Sequence, residues 1–185
     1  MTSTIKADVL QDTSATHTIN LSTGDSSIPG GIKIGGTASA NLLDDYETGT
    51  WDCRLSTSTT SVTPVSGWTM SDGGTGYYVK IGRLVCCQFY HAWGATTSNT
   101  SPVYMYLPFP VNGAGNMWCG NAIEASYVNL PTGVNYVTVR PENGQQYASF
   151  KGCGDNINRI DMKFSDFGAS SGGYVLGTFN YMTAS

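Results

Sequence analysis

Charge is scarce in this sequence. Asp, Glu, Lys and Arg make up 12% of 185 residues, about half the roughly 25% of an ordinary soluble domain. The nine Lys and Arg are scattered and the net charge is −4. Without a basic stripe there is nothing to neutralise phosphates, so no nucleic-acid partner is expected. Histidine is rarer still, with only His17 and His91. No Cys-x-x-Cys spacing accompanies them, which excludes the usual zinc sites and leaves no metal expected. No apolar run approaches the ~18 residues that a bilayer span needs, so no membrane insertion is expected. The opening Met-Thr-Ser-Thr-Ile-Lys has no apolar stretch behind it, and no signal peptide is expected either. Gly30-Gly31 and Gly35-Gly36 lack the strand-then-helix setting of a phosphate loop, so no nucleotide or other cofactor is expected.

What is present is β-forming sequence. From Trp51 onward, short runs rich in Val, Ile, Tyr and Phe alternate with Gly, Pro, Asn and Asp. Tyr77 to Ala92 is the densest such run, with a bend or bulge expected at Gly82. Val103 to Leu107 stops at Pro108 and Pro110. Met117 to Val128 and Val134 to Arg140 continue the pattern, and Pro141-Glu-Asn-Gly144 signals a hairpin turn. Tyr147 to Phe150, the alternation Ile160, Met162, Phe164, and Tyr174 to Met182 complete it. No window reads as helix. Strands with turn signals every 8–12 residues imply an all-β fold, an antiparallel β-sandwich of jelly-roll type.

The first forty residues differ. Ile5, Val9, Ile28, Ile32 and Ile34 are among the few large apolar side chains there. So thin a set cannot offset about 1–2 kcal/mol of backbone entropy per residue. Residues 1–40 are therefore expected to form an extended N-terminal arm ordered by partners, and residues 41–185 the β-sandwich head. Between the two lies Asn41-Leu-Leu-Asp-Asp-Tyr-Glu-Thr-Gly-Thr-Trp51. Its three clustered acids resemble a cation ligand set only loosely, and a short turn capped by Asn and Asp side chains is expected. The five cysteines are odd in number and cannot all pair. Cys86 and Cys87 face opposite sides of a strand. All five are expected to be small buried hydrophobes.

The stretch Gly35 to Trp51 resembles the Leu-Asp-Asp-Tyr-Glu-x-Gly-Thr-Trp segment of bacteriophage tail-fibre-like and virion surface knob proteins. Tyr78-Val-Lys-Ile-Gly-Arg-Leu-Val85 is similar to a Tyr-x-Lys-Ile-Gly-Arg-x-Val strand of that group. Leu107-Pro-Phe109, Gly177-Thr-Phe179 and the opening Thr4 to Thr13 resemble its further elements, in the same order. The resemblance implies a non-enzymatic virion structural protein assembled in the host cytoplasm. It implies a homotrimer, either a short tail fibre contacting the host or a capsid decoration protein held by other virion proteins. In that setting the arm residues Ile5, Val9, Ile28, Ile32 and Ile34 would mediate trimerisation or docking.

Catalytic readings are thin. His17 and His91 have no accompanying nucleophile signature. Cys87 and His91 share a strand face but stand ~13 Å apart. Asp155, Asp161 and Asp166 could supply a glycosidase pair only at a separation that sequence does not give. The alternative reading is a carbohydrate-binding or carbohydrate-degrading tail-spike module. Its candidate contacts with a host cell-surface glycan are Trp68, Tyr77, Tyr78, Trp93 and Tyr104, since aromatic rings stack on sugar faces.

Overall fold

The computed structural model describes residues 32–33, 42–43, 45–62, 65, 74–94, 97–113, 121–167 and 172–183. The chain divides into two units, Met1–Asp45 and Tyr46–Ser185. In the first, β1 (Ile32–Lys33) pairs antiparallel with β2 (Leu42–Leu43), Ile32 opposite Leu43. Of the arm residues named above, Ile5, Val9, Ile28 and Ile34 lie outside the described residues, and Ile32 enters β1.

The second unit is almost all-β, in two antiparallel five-stranded sheets. The first sheet contains β3 (Tyr46–Asp52), β5 (Thr75–Ile81), β6 (Leu84–Trp93), β8 (Asn121–Ser126) and β12 (Gly173–Met182). Its spatial order is β3-β5-β6-β12-β8. The second contains β4 (Leu55–Ser56), β7 (Tyr104–Tyr106), β9 (Tyr136–Pro141), β10 (Tyr147–Cys153) and β11 (Ile160–Asp161). Here β10 is central, with β9 along one edge and β7 and β11 on the other, and β4 lies beyond β7.

Period-two burial makes the two sheets share a core. Along β6, Val85, Cys87, Phe89, His91 and Trp93 turn inward while Cys86, Gln88 and Tyr90 face out. Val175, Phe179 and Tyr181 do the same on β12. They meet Met105, Val139, Ala148 and Phe150 of the second sheet. The Phe89 and Phe150 rings cross edge to face at 6.1 Å, a favoured aromatic geometry. Two polar ties reinforce the packing. Trp51 Nε1 on β3 donates to the Tyr106 carbonyl at 2.9 Å, and the buried Tyr181 hydroxyl donates to the Phe109 carbonyl at 3.0 Å.

Several expectations need correcting. Where a capped turn was expected, Tyr46 to Trp51 is strand. Tyr46, Thr48 and Thr50 alternate there with Glu47, Gly49 and Trp51 at strand period, and β3 pairs with β5 along its whole length. The run Tyr77 to Ala92 is two strands. Gly82, at φ 55°, and Arg83 turn the chain between Ile81 and Leu84, since a two-residue hairpin needs the left-handed backbone that glycine tolerates.

A helical turn, α1 (Phe164–Phe167), stands where alternation suggested strand. The Lys163 N–H donates to Asp166 Oδ2 at 2.8 Å, one half of a capping box. Phe164 and Phe167, three apart, both face the core. The expectation of buried cysteines holds for Cys53 and Cys87, but Cys153 is partly exposed and Cys86 exposed. Cys86 occupies an outward position of β6. Cys119 lies outside the described residues.

Candidate functional site

Burial sorts the aromatic residues singled out from the sequence. Trp93 is 1% exposed. It ends β6 on the inward face, crosses Phe167 edge to face at 6.0 Å and covers Gly173, where no side chain could fit beside the ring. It is therefore closed to any glycan, and its place among the loop aromatics is corrected. Tyr78 is half-buried and its hydroxyl is bonded to Glu47 across the β3–β5 pair. The Glu47 carboxylate holds the Tyr78 phenol above its ordinary value. Tyr104 is half-buried edge to face with Tyr147 at 5.2 Å. Tyr77 is exposed on β5. Trp68 lies outside the described residues. The four described rings do not form one cluster, since Tyr77 and Tyr78 face opposite sides of β5 and Trp93 is buried.

The polar candidates disperse as well. Asp161 pairs with Lys151 on the second sheet, and Asp166 caps α1. Cys87 is buried, and burial raises its thiol pKa, so it is no thiolate nucleophile. His91 is wholly buried against Phe89 at 5.5 Å. Burial pulls its pKa down to about 4, opposed by the Cys53 backbone and the Asp52 carboxylate. Among the described residues, no group of three or more His, Cys, Asp or Glu could hold a metal ion.

The exposed large apolar side chains are more informative. Nine stand out among the described residues, and they gather in two places. Six lie on the outer face of the first sheet. Tyr46, Ile81, Leu84 and Met182 form a continuous cross-strand row at one end, since Tyr46 opposes Ile81, Ile81 opposes Leu84 and Leu84 opposes Met182. Tyr77 and Tyr90 lie further along the same face. The outward-facing formal charges of these strands are Asp52, paired with Arg54 at the far end of β3, and Glu124. Glu124 accepts a hydrogen bond from the Tyr174 hydroxyl at 2.6 Å. Lys80 instead turns inward, its ammonium 5.5 Å from the Phe109 ring centre. A depression of about 500 Å³ lies over Gln88, Thr178 and Ala122. Rich in exposed apolar side chains and almost free of charge, this face has the composition of a protein–protein contact.

The other three, Tyr127, Leu130 and Tyr136, surround a cleft of about 280 Å³ at the β8–β9 edge. The sequence reading passed over all three, because Tyr127 and Tyr136 belonged to the expected strands Met117 to Val128 and Val134 to Arg140, and Leu130 fell between them. The nearest sequence signal is Pro131 and Gly133 in that interval, which mark an element boundary.

No protein-family model matches the sequence, and the search of curated proteins found no match. Among solved structures, the fold is similar to the crystal structure of the Dettilon tailspike protein, with a TM-score of 0.53 and 19% sequence identity. The match covers 75% of this chain and 24% of that one. The chain therefore corresponds to about a quarter of that protein's length.

Proposed function

We propose that the chain is a non-enzymatic structural module of a bacteriophage particle, a homotrimeric fibre or knob whose β-sandwich heads associate through the outer face of the first sheet. The observation that carries this reading is that face, with its row Tyr46, Ile81, Leu84 and Met182. Five strands at about 4.8 Å spacing and about 3.3 Å rise per residue present roughly 600 Å². That is near the low end of the roughly 800 Å² that one partner gives to a specific interface. Cyclic symmetry brings copies of one surface close together, and a face with so little formal charge meets its own copies without repulsion. The fold likeness to part of a tailspike supports the same setting. In it the protein resides in the virion, beside capsid or tail proteins.

Native mass measurement tests the assembly. A species three times the 19.7 kDa chain mass is expected at micromolar concentration, and a monomer there would end the trimer reading. Removing residues 1–40 should leave the second unit folded and abolish attachment to particles. A truncated chain that fails to fold, or still decorates particles at normal occupancy, would refute the division of labour between arm and head.

A further inference from the structure

We infer that β8 is a docking edge for an extended segment of another protein, one that alternates aliphatic with polar residues and sets a basic residue opposite Glu124. β8 closes the first sheet, and among the described residues it pairs with β12 alone. In an antiparallel ladder every second residue of an edge strand turns its N–H and C=O away from its partner. Such a row is a template for one more strand. The opposite edge shows how this sheet guards a strand. There β3 turns Glu47 toward the inner side, opposite Lys80, and an inward charge deters strand addition. β8, with the sequence Asn-Ala-Ile-Glu-Ala-Ser, has no inward charge and no proline.

The mouth of the sandwich lies open beside this edge. At one end Asn121 ties β8 to β9, its Nδ2 donating to the Val139 carbonyl at 3.1 Å and its Oδ1 accepting from the Thr138 hydroxyl at 2.9 Å. Toward the other end the strands part around the cleft of about 280 Å³. Ala125 shares the inward face with the buried Val175 opposite it, yet it is exposed. Ile123, Val128 and Val137 rest on the core but are only half-buried. Tyr127 and Tyr136, 65% and 60% exposed, stand at the rim. Tyr127 has φ 57°, a left-handed conformation rare for so bulky a side chain. It turns the chain out of the strand line straight after Ser126.

A strand edge selects an extended backbone, and half-buried apolar walls select side chains that cover them. None of the lining residues is Asp, Glu, Lys, Arg or His, so the side chains that enter the cleft are uncharged. Cross-strand pairing sets the rest of the segment. An antiparallel strand puts a large aliphatic side chain against the small Ala125, a small one against Ile123, and a hydroxyl against Ser126. Glu124, exposed on the outer face, is the one formal charge of β8. It accepts the bond from Tyr174, and its carboxylate has acceptor sites left for a Lys or Arg on the added strand. The segment therefore reads Thr-Leu-Lys-Ala in type, from Ser126 back to Ile123. This inference does not rest on association through the apolar row, which does not include β8.

The full chain would be titrated with the acetylated and amidated peptide Thr-Leu-Lys-Ala-Thr-Thr and followed by amide NMR and hydrogen exchange. Saturable binding at about 1 mM or below is expected, with alternate amides of β8 becoming protected from exchange. The same peptide with Glu in place of Lys should bind roughly three- to fivefold more weakly, as befits an exposed ion pair. Glu124→Lys should reverse that preference. Ala125→Lys sets a charge at an exposed inward position and should abolish binding, while an unchanged amide spectrum along β12 shows that the fold is kept. Because Glu124 is exposed, its charge reversal stands as a test even if Ala125→Lys fails to fold. The proposal is overturned if no peptide saturates, if protection appears on strands other than β8, or if the preference for Lys survives Glu124→Lys. It is equally overturned if β8 amides are already protected in the chain alone, since this chain or a second copy would then fill the edge. The mass of the assembly is measured separately, so none of these outcomes bears on the trimer.

Discussion

The outer faces of the two sheets are built from opposite materials, although both sheets lean on the same core. The first exposes tyrosine, isoleucine, leucine and methionine with hardly a charge. The second carries a knot of ions. Lys151 lies between Asp161 and Glu142, within 3.6 Å of the latter, and Arg140 approaches Glu142 at 3.8 Å. Ser149 donates a further hydrogen bond to Glu142. Cross-strand register makes this possible, since Lys151 is opposite Asp161 on β11 and Ser149 is opposite Arg140 on β9. A face that satisfies its charges internally is suited to water. A face that leaves large apolar side chains uncovered bears a cost that disappears only when another surface covers it. On the reading proposed above, this difference gives the first sheet to contact and the second to solvent.

The largest effect should come from breaking the apolar row. In the double variant Ile81→Asp, Leu84→Asp, each subunit brings two carboxylates to a contact that desolvates them, at several kcal/mol per buried ion. Association should be lost at micromolar concentration, with the chain migrating as a monomer by light scattering. Both positions are exposed in the single chain, so its melting temperature should move by only a few degrees. The paired control, Lys151→Glu on the second sheet, should leave the mass unchanged. If both variants or neither dissociates, the two faces do not differ in the way proposed.

Next in size is a pH effect that originates between the sheets. His91 is neutral in the fold because burial lowers its pKa from 6.5 to about 4. The unfolded chain takes up the proton first, so this contribution to stability is complete above pH 6.5. It is lost as the pH falls towards 4 and constant below that. The shift corresponds to about 3 kcal/mol. Urea titrations across that window should show the decline, and His91→Met should flatten it. A slope that survives the substitution would move the effect to the carboxylates.

Much of this was legible in the sequence, for reasons that vary by element. Tyr174 to Met182 and Tyr77 to Ala92 read as β-structure because β-branched and aromatic residues crowd there, although the second run divides into two strands at Gly82. The Asn143-Gly144 turn was legible because its backbone demands are local, and Gly144 sits at φ 70°. α1 was missed because one turn with Phe164 and Phe167 inward is too short to show a helical period. Trp93 was misplaced because it sits next to Gly94, and a ring at the end of a strand looks loop-like until the glycine it covers, eighty residues later at Gly173, is known. The cleft at Tyr127 and the row at Tyr46 depend on cross-strand register and on a φ angle, and neither is written in local composition.

The smallest effect belongs to the charged face and tests whether its ions are more than solubilising. Lys151→Met removes the cation shared by Glu142 and Asp161 while keeping the aliphatic stem that covers the sheet. Asp161 is about half exposed, so water replaces its partner at little cost. Glu142 is more enclosed but keeps Ser149 and Arg140, so no bare charge is stranded. The expected loss is therefore about 1 kcal/mol or less. It should shrink further as salt is raised from low to physiological strength, because the pair opens to solvent on the Asp161 side. Thermal unfolding of wild type and variant at two salt concentrations measures this. A loss of several kcal/mol that ignores salt would mean that Glu142 depends on Lys151 as a buried partner. The second sheet's outer face would then be a constructed polar site in its own right, and the contrast with the apolar face would no longer be one of water against contact.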